Sequence, residues 1–128
     1  MNPVVHFEMP AKDSKRMADF YTKVFDWETQ FLGPEMGNYI MVMTAESDEK
    51  GPKKPGMING GFFTKSDNNP NQYPSVVIQV DNIRQHMQKV EKAGGKVLGE
   101  PVEIPNVGWY VSFIDTEGNI ASMLQSLS

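Results

Sequence analysis

The chain has 128 residues, 12 Lys and Arg against 16 Asp and Glu, and a formal net charge of -4 at pH 7. It contains no cysteine, which excludes disulfides, thiolate metal sites and a cysteine nucleophile. The acidic balance argues against a nucleic-acid partner, and no apolar run approaches the roughly 18 residues of a membrane span. We therefore expect a cytoplasmic protein without a nucleic-acid or membrane partner.

The first half of the chain predicts a strand, a helix and three further strands. Residues 4–9 alternate in period two, with apolar side chains on one face and with His6 and Glu8 on the other. Asp13 or Ser14 can cap the helix that follows. The apolar stripe of this helix is predicted at Met17, Phe20, Tyr21, Val24 and Phe25.

Period-two alternation returns after this helix, and three strands are predicted over residues 27–31, 38–44 and 57–64. The charged segment 45–56 between the last two reads as an exposed loop. The Gly60-Gly61 pair inside the third strand predicts a bulge, or a place where another group approaches the backbone closely.

The second half of the chain repeats the order of the first. Residues 75–80 form a strand, and Asp81 or Asn82 caps a helix that ends at Gly94-Gly95. The remaining strands are predicted at residues 96–98 and 102–104 and in a hairpin from Gly108 to Gln125. In the hairpin, Tyr110 and Ser112 share one strand face, and Ser122 lies on the return strand.

A strand, a helix and three strands, twice over, indicate an α+β fold in a single domain, residues 1–128. Module one spans about residues 3–65 and module two about residues 75–126. Laid strand on strand, His6 corresponds to Ser75 and Glu8 to Val77. The helix-free face of each sheet is polar at its first strand, so we expect the two faces to curve around a shared cleft.

Four motifs carry a family resemblance across nearly the whole chain. The opening VHFEMPAKDSKRMADFYTKVFDW, followed in order by VVIQVDN, AGGKV and FIDTEGN, resembles the vicinal oxygen chelate superfamily. This superfamily includes glyoxalase I, bleomycin-resistance proteins and extradiol dioxygenases. The resemblance implies two βαβββ modules that form a curved mixed sheet around a cleft, and a homodimer.

The resemblance also implies where metal ligands would stand. In the metal-using members a His on the first strand is a ligand, and His6 stands at that position. The other three positions fall on Asn59 or a glycine of MINGG, on Ser75, and on Ser122. Because three of the four expected ligands are missing, we predict no metal and no cofactor.

A small-molecule site is therefore predicted without a metal. His6 is the first candidate for a catalytic role and Glu8 the second, as a base and its orienting partner. Hydrogen bonding of both to backbone or water is the structural alternative. The residues predicted to contact a ligand are His6, Glu8, Tyr39, Met41, Asn59, Ser75, Tyr110, Ser112 and Ser122.

Two functions follow from this set. The first is metal-free binding of a small, partly aromatic or apolar molecule in the cleft between the modules, as in bleomycin-resistance proteins. The alternative is a glyoxalase-I-like lyase, or a related isomerase or dioxygenase, that uses Ni, Zn, Mn or Fe at His6. The missing ligand positions favour the first, and the sequence names neither the ligand nor a reaction.

Overall fold

The computed structural model describes residues 1–127. The chain forms two compact units, one of His6–Pro74 and one of Met1–Val5 together with the chain from Ser75 onward. We call the first unit module one and the second module two. Each contains one helix packed on one face of a mixed sheet.

Module one follows the predicted order of elements. In chain order these are β1 (Val4–Ala11), α1 (Ser14–Phe25), β2 (Glu28–Phe31), β3 (Ile40–Met43), a small hairpin of β4 (Ser47–Asp48) and β5 (Gly51–Pro52), and β6 (Asn59–Thr64). The sheet order is β2-β3-β6-β1, in which β1 runs parallel to β6 and the other pairs are antiparallel. The segment predicted as an exposed loop thus contains the β4–β5 hairpin.

The core of module one lies between α1 and the sheet. Ala18, Ile40, Val42 and Phe62 are buried there. Asp13 caps the helix by accepting a hydrogen bond of 3.0 Å from the backbone N–H of Arg16.

The predicted stripe of α1 is partly wrong. Phe20, Val24 and Phe25 are 54%, 54% and 56% exposed. Ala18, which the prediction left out, is buried instead. A small side chain lets the helix approach the sheet closely, and this rotates Phe20 and Val24 to the edge of the contact.

Module two repeats the same order. Its elements are β7 (Ser75–Gln79), α2 (Ile83–Lys92), β8 (Lys96–Ile104), β9 (Gly108–Ile114) and β10 (Ile120–Ser126). The sheet order is β8-β9-β10-β7, with β7 parallel to β10. The two short strands predicted at residues 96–98 and 102–104 form one strand, whose register shifts between Leu98 and Val102.

The core of module two lies under α2 and contains Val80, Ile83, Val111 and Met123. Asn82 caps α2 by accepting a hydrogen bond of 3.1 Å from the N–H of Gln85. The predicted hairpin is confirmed, since β9 and β10 pair from Gly108 with Ser126 to Ile114 with Ile120.

The α+β fold of two βαβββ modules is confirmed, because both sheets have the same strand order and the same parallel pair. The cleft between the modules and the single domain stay predictions. Within residues 1–127, neither α1 nor α2 has the length and apolar character that crossing a membrane requires.

Candidate functional site

The helix-free face of module one carries the first group of predicted site residues. On β1, His6 and Glu8 alternate with Phe7, which packs on the helix side. Glu8 is paired with Gly61 of β6, and Gly61 is paired with Met41 of β3. Tyr39, two residues before Met41, therefore lies on the same face.

A hydrogen-bonded chain joins His6, Tyr39 and Glu8. The Tyr39 hydroxyl donates to Oε2 of Glu8 over 3.1 Å, and Nε2 of His6 lies 3.1 Å from the same hydroxyl. A phenol has one proton, and that proton goes to Glu8. Nε2 of His6 must therefore carry the ring proton and donate to Tyr39, which leaves Nδ1 as a hydrogen-bond acceptor.

Burial keeps this imidazole neutral. Desolvation lowers the pKa of His6 from 6.5 to about 4, because the charged form is disfavoured away from water. Nδ1 has no hydrogen-bond partner among residues 1–127. No buried side-chain nitrogen or oxygen in that part of the chain lacks a partner, so Nδ1 is in contact with solvent.

The two glycines of β6 explain how the Tyr39 ring fits. A Cβ atom on Gly61 would overlap the hydroxyl and the ring of Tyr39, and a Cβ atom on Gly60 would overlap the ring of Phe7 on the opposite face. The close approach predicted for this glycine pair is confirmed. Gly61 allows the phenol to cross β6 and reach both residues of β1.

The helix-free face of module two carries a second group, made of three hydroxyls. Ser122 of β10 is 1% exposed. Its Oγ lies 2.7 Å from the hydroxyl of Tyr110 and 2.8 Å from Oγ of Ser112. The structure thus brings together three predicted residues that lie on adjacent antiparallel strands.

The two tyrosines hold equivalent positions in the repeat. Gly61 of β6 pairs with Glu8 and Met41, and Ser122 of β10 pairs with Val77 and Ser112. Met41 therefore corresponds to Ser112, and Tyr39 corresponds to Tyr110. In each module a phenol reaches from this position toward the central strand position, which is Gly61 in module one and Ser122 in module two.

The remaining predicted residues differ in their surroundings. Met41 is 44% exposed, so its thioether side chain is accessible. Ser75 is half-buried at the start of β7.

Asn59 is engaged in a structural role. Its Oδ1 accepts from the N–H of Thr44 over 3.0 Å, and its Nδ2 donates to Oγ of Ser47 over 2.9 Å. Thr44 and Ser47 were not predicted as partners of Asn59, because a period-two pattern assigns strand faces and not hydrogen-bond partners.

These side chains do not fit a metal centre. Catalytic metals bound by nitrogen and oxygen usually need three protein ligands. No group of three or more His, Asp or Glu side chains that could hold an ion occurs within residues 1–127. The one imidazole and one carboxylate on this face of β1 are joined to each other through the phenol of Tyr39.

Comparison with known proteins assigns the chain to a family. The model of the Glyoxalase/Bleomycin resistance protein/Dioxygenase superfamily matches residues 4–122. The chain belongs to this superfamily. A glyoxylase-like domain-containing protein of Didymella fabae is similar at 32% identity over 119 residues, which cover 88% of this chain and 84% of that protein.

Solved structures of this superfamily share the fold. A methylmalonyl-CoA epimerase in complex with methylmalonyl-CoA and NH4+ has a TM-score of 0.72 at 13% identity, over 100% of this chain and 96% of that one. The epimerase from Mycobacterium tuberculosis has a TM-score of 0.67 at 8% identity, over 98% of this chain and 88% of that one. Sequence identity at this level supports a shared fold and does not support a shared activity.

Proposed function

We propose that this glyoxalase-superfamily protein binds a small molecule without a metal ion, on the helix-free face of module one. The observation that carries the proposal is that this face offers one imidazole and one carboxylate, His6 and Glu8, both hydrogen-bonded to the phenol of Tyr39. These two residues are the potential metal ligands on that face of β1. An ion bound by these two side chains would still be short of a third protein ligand, since no group of three or more His, Asp or Glu side chains that could hold an ion occurs within residues 1–127.

The pKa of His6 supports binding over acid–base catalysis. A general base works best when its pKa lies near the working pH, and a His6 pKa of about 4 makes it a weak proton acceptor at neutral pH. A neutral imidazole held in one tautomer is instead well suited to orient a ligand by a hydrogen bond.

The rest of the face suits a partly apolar ligand. Met41 is 44% exposed, and thioether side chains adapt to ligands of different shapes. Methylmalonyl-CoA, which is bound in one of the epimerase structures, is not proposed for this chain because 13% identity supports the fold alone.

The alternative function is a divalent-metal lyase, isomerase or dioxygenase centred on His6. Membership of the superfamily and the position of His6 favour it. It requires at least one protein ligand beyond His6 and Glu8, and the described residues 1–127 contain no group of three that could hold an ion. The homodimer, the cytoplasmic location and the cleft between the modules stay predictions.

Metal content of the purified, untagged protein separates the two functions. Wild type and His6→Ala would be analysed by mass spectrometry before and after incubation with Ni, Zn, Mn and Fe(II). We expect no stoichiometric metal in the wild type or in His6→Ala. One metal ion per chain in the wild type that is lost in His6→Ala would establish the alternative.

A further inference from the structure

We propose that the site of module one takes a neutral or cationic ligand whose O–H or N–H group donates a hydrogen bond to Nδ1 of His6, and that it rejects anions of the same shape. This inference rests on the proposed function and adds the chemical class of the ligand. It uses three independent features of the face: the direction of its hydrogen bonds, its charges and its apolar surface.

The direction of the hydrogen bonds makes His6 an acceptor toward the ligand. Glu8 accepts the proton of Tyr39, and Tyr39 in turn accepts the Nε2 proton of His6. The polar atom of the ring that remains is Nδ1, which has a lone pair and no proton and is in contact with solvent. A carboxylate ligand has no proton to donate to it, whereas a hydroxyl or an amine does.

The charges on the same strands also favour a neutral or cationic ligand. The strands β1, β2, β3 and β6 contain no Lys and no Arg, and their two charged residues are Glu8 and Glu28. Glu28 pairs with Met43, which places it on the same face as Met41. An anionic ligand at His6 would lie near the Glu8 carboxylate, and these strands offer no cation to pair with it, while a neutral or cationic ligand would not be repelled.

The apolar side chains on this face favour a particular kind of ligand body. Met41 is 44% exposed, and Phe63, two residues beyond Gly61, lies half-buried on the same face of β6. Sulfur and ring contacts of this kind favour an aromatic ligand body.

Three probes with one aromatic body test the ligand class: benzyl alcohol, benzylamine and benzoate. Each would be titrated at pH 7 into the full chain, and the imidazole signals would be followed in long-range ¹H–¹⁵N NMR spectra. The chain has two histidines, so His86→Gln assigns the signals of His6 and serves as the control variant. His86 lies on α2, and its Nδ1 is 3.3 Å from the backbone oxygen of Asn82.

We expect benzyl alcohol and benzylamine to shift Nδ1 of His6 with saturation and to bind about fivefold or more tightly than benzoate, the ratio that one hydrogen bond supplies. Tyr39→Phe should weaken this preference, because the phenol no longer fixes the ring proton on Nε2. Circular dichroism would show that this variant is folded.

Two results would overturn the inference. A benzoate titration that moves His6 as strongly as benzylamine would show that the ligand class is wrong while the site stands. A His6 signal that none of the three probes moves would also reject the class. Neither result bears on the metal, since the metal content of wild type and His6→Ala decides the proposed function separately.

Discussion

At the scale of single residues, the protonation of His6 follows from its neighbours. Tyr39 and Glu8 face the ring through the hydrogen-bonded chain, and Asn59 is its partner on β6. Desolvation dominates the pKa of His6, so the ring is neutral in the folded protein well below the pH at which a free imidazole becomes charged. The folded state therefore carries a pH-dependent stability.

The first prediction is that acid destabilises the protein through His6. The unfolded chain binds a proton near pH 6.5, whereas the folded chain binds it only near pH 4. Between these values the unfolded state holds more protons, so the free energy of unfolding falls as the pH falls. The full loss is about 3 kcal/mol.

Urea unfolding of wild type and His6→Gln between pH 7.5 and pH 4 measures the contribution of His6 to the pH dependence of stability. The difference between the two proteins removes the contribution of the carboxylates that both share. If the free energies of unfolding of the two proteins differ by the same amount from pH 7.5 to pH 4, the folded imidazole titrates like a free one.

The second prediction concerns Gly61. Its backbone φ is not in the left-handed region, so Gly61→Ala has no backbone strain, but the new methyl group overlaps the Tyr39 ring. We expect this substitution to push the phenol away from His6 and Glu8 and to cost about 1–3 kcal/mol. The same substitution in a Tyr39→Ala background should cost much less.

A double-mutant cycle by chemical denaturation measures this coupling. Equal costs of Gly61→Ala in both backgrounds would mean that Tyr39 does not occupy the space above Gly61. NMR spectra of His6 would show in parallel whether the ring loses its fixed tautomer.

At the scale of elements, α1 shows what a periodic pattern leaves undecided. The sequence gives a wide apolar stripe at helical spacing, and a helix can roll within such a stripe without losing the pattern. The orientation of α1 is shown by Ala18, which is the residue of this helix that is buried in the core with Ile40, Val42 and Phe62. Tyr21 then stacks on Trp27, with ring centroids 4.6 Å apart, and Phe20 remains at the edge.

The third prediction uses these two neighbouring aromatic residues. Tyr21→Ala removes contacts with Trp27 and Phe62 and should cost about 2–4 kcal/mol. Phe20→Ala removes a half-exposed ring and should cost about 1 kcal/mol or less. Thermal or urea unfolding of both variants gives the comparison, and similar costs would place Phe20 in the core.

The strands were more predictable than the helix contacts. Period-two alternation fixed the face of His6 and Glu8 on β1, and turn residues located the hairpin of β9 and β10. The alternation could not show that Asn59 is used by Thr44 and Ser47, because it assigns strand faces and not the hydrogen-bond partners of a side chain. The glycine pair signalled a close approach, but only the register shows that Tyr39 is the group that approaches.

At the scale of the whole molecule, the repeat relates the two groups of site residues. Tyr39 and Tyr110 occupy equivalent positions, and each phenol reaches toward Gly61 or Ser122. In the first module the phenol joins an imidazole to a carboxylate, and in the second the phenol is bonded to Ser122, which in turn is bonded to Ser112. One superfamily fold thus carries an acidic face in one module and a face of neutral hydroxyls in the other.

The state of His6 is tested by the long-range ¹H–¹⁵N NMR spectrum of the protein at pH 7, recorded before and after one equivalent of Zn²⁺. We expect a neutral ring with its proton on Nε2, held by Tyr39, and no change in the His6 signals on addition of the metal. A ring with its proton on Nδ1, or His6 signals that shift in proportion to added Zn²⁺ and saturate at one ion per chain, would contradict this expectation.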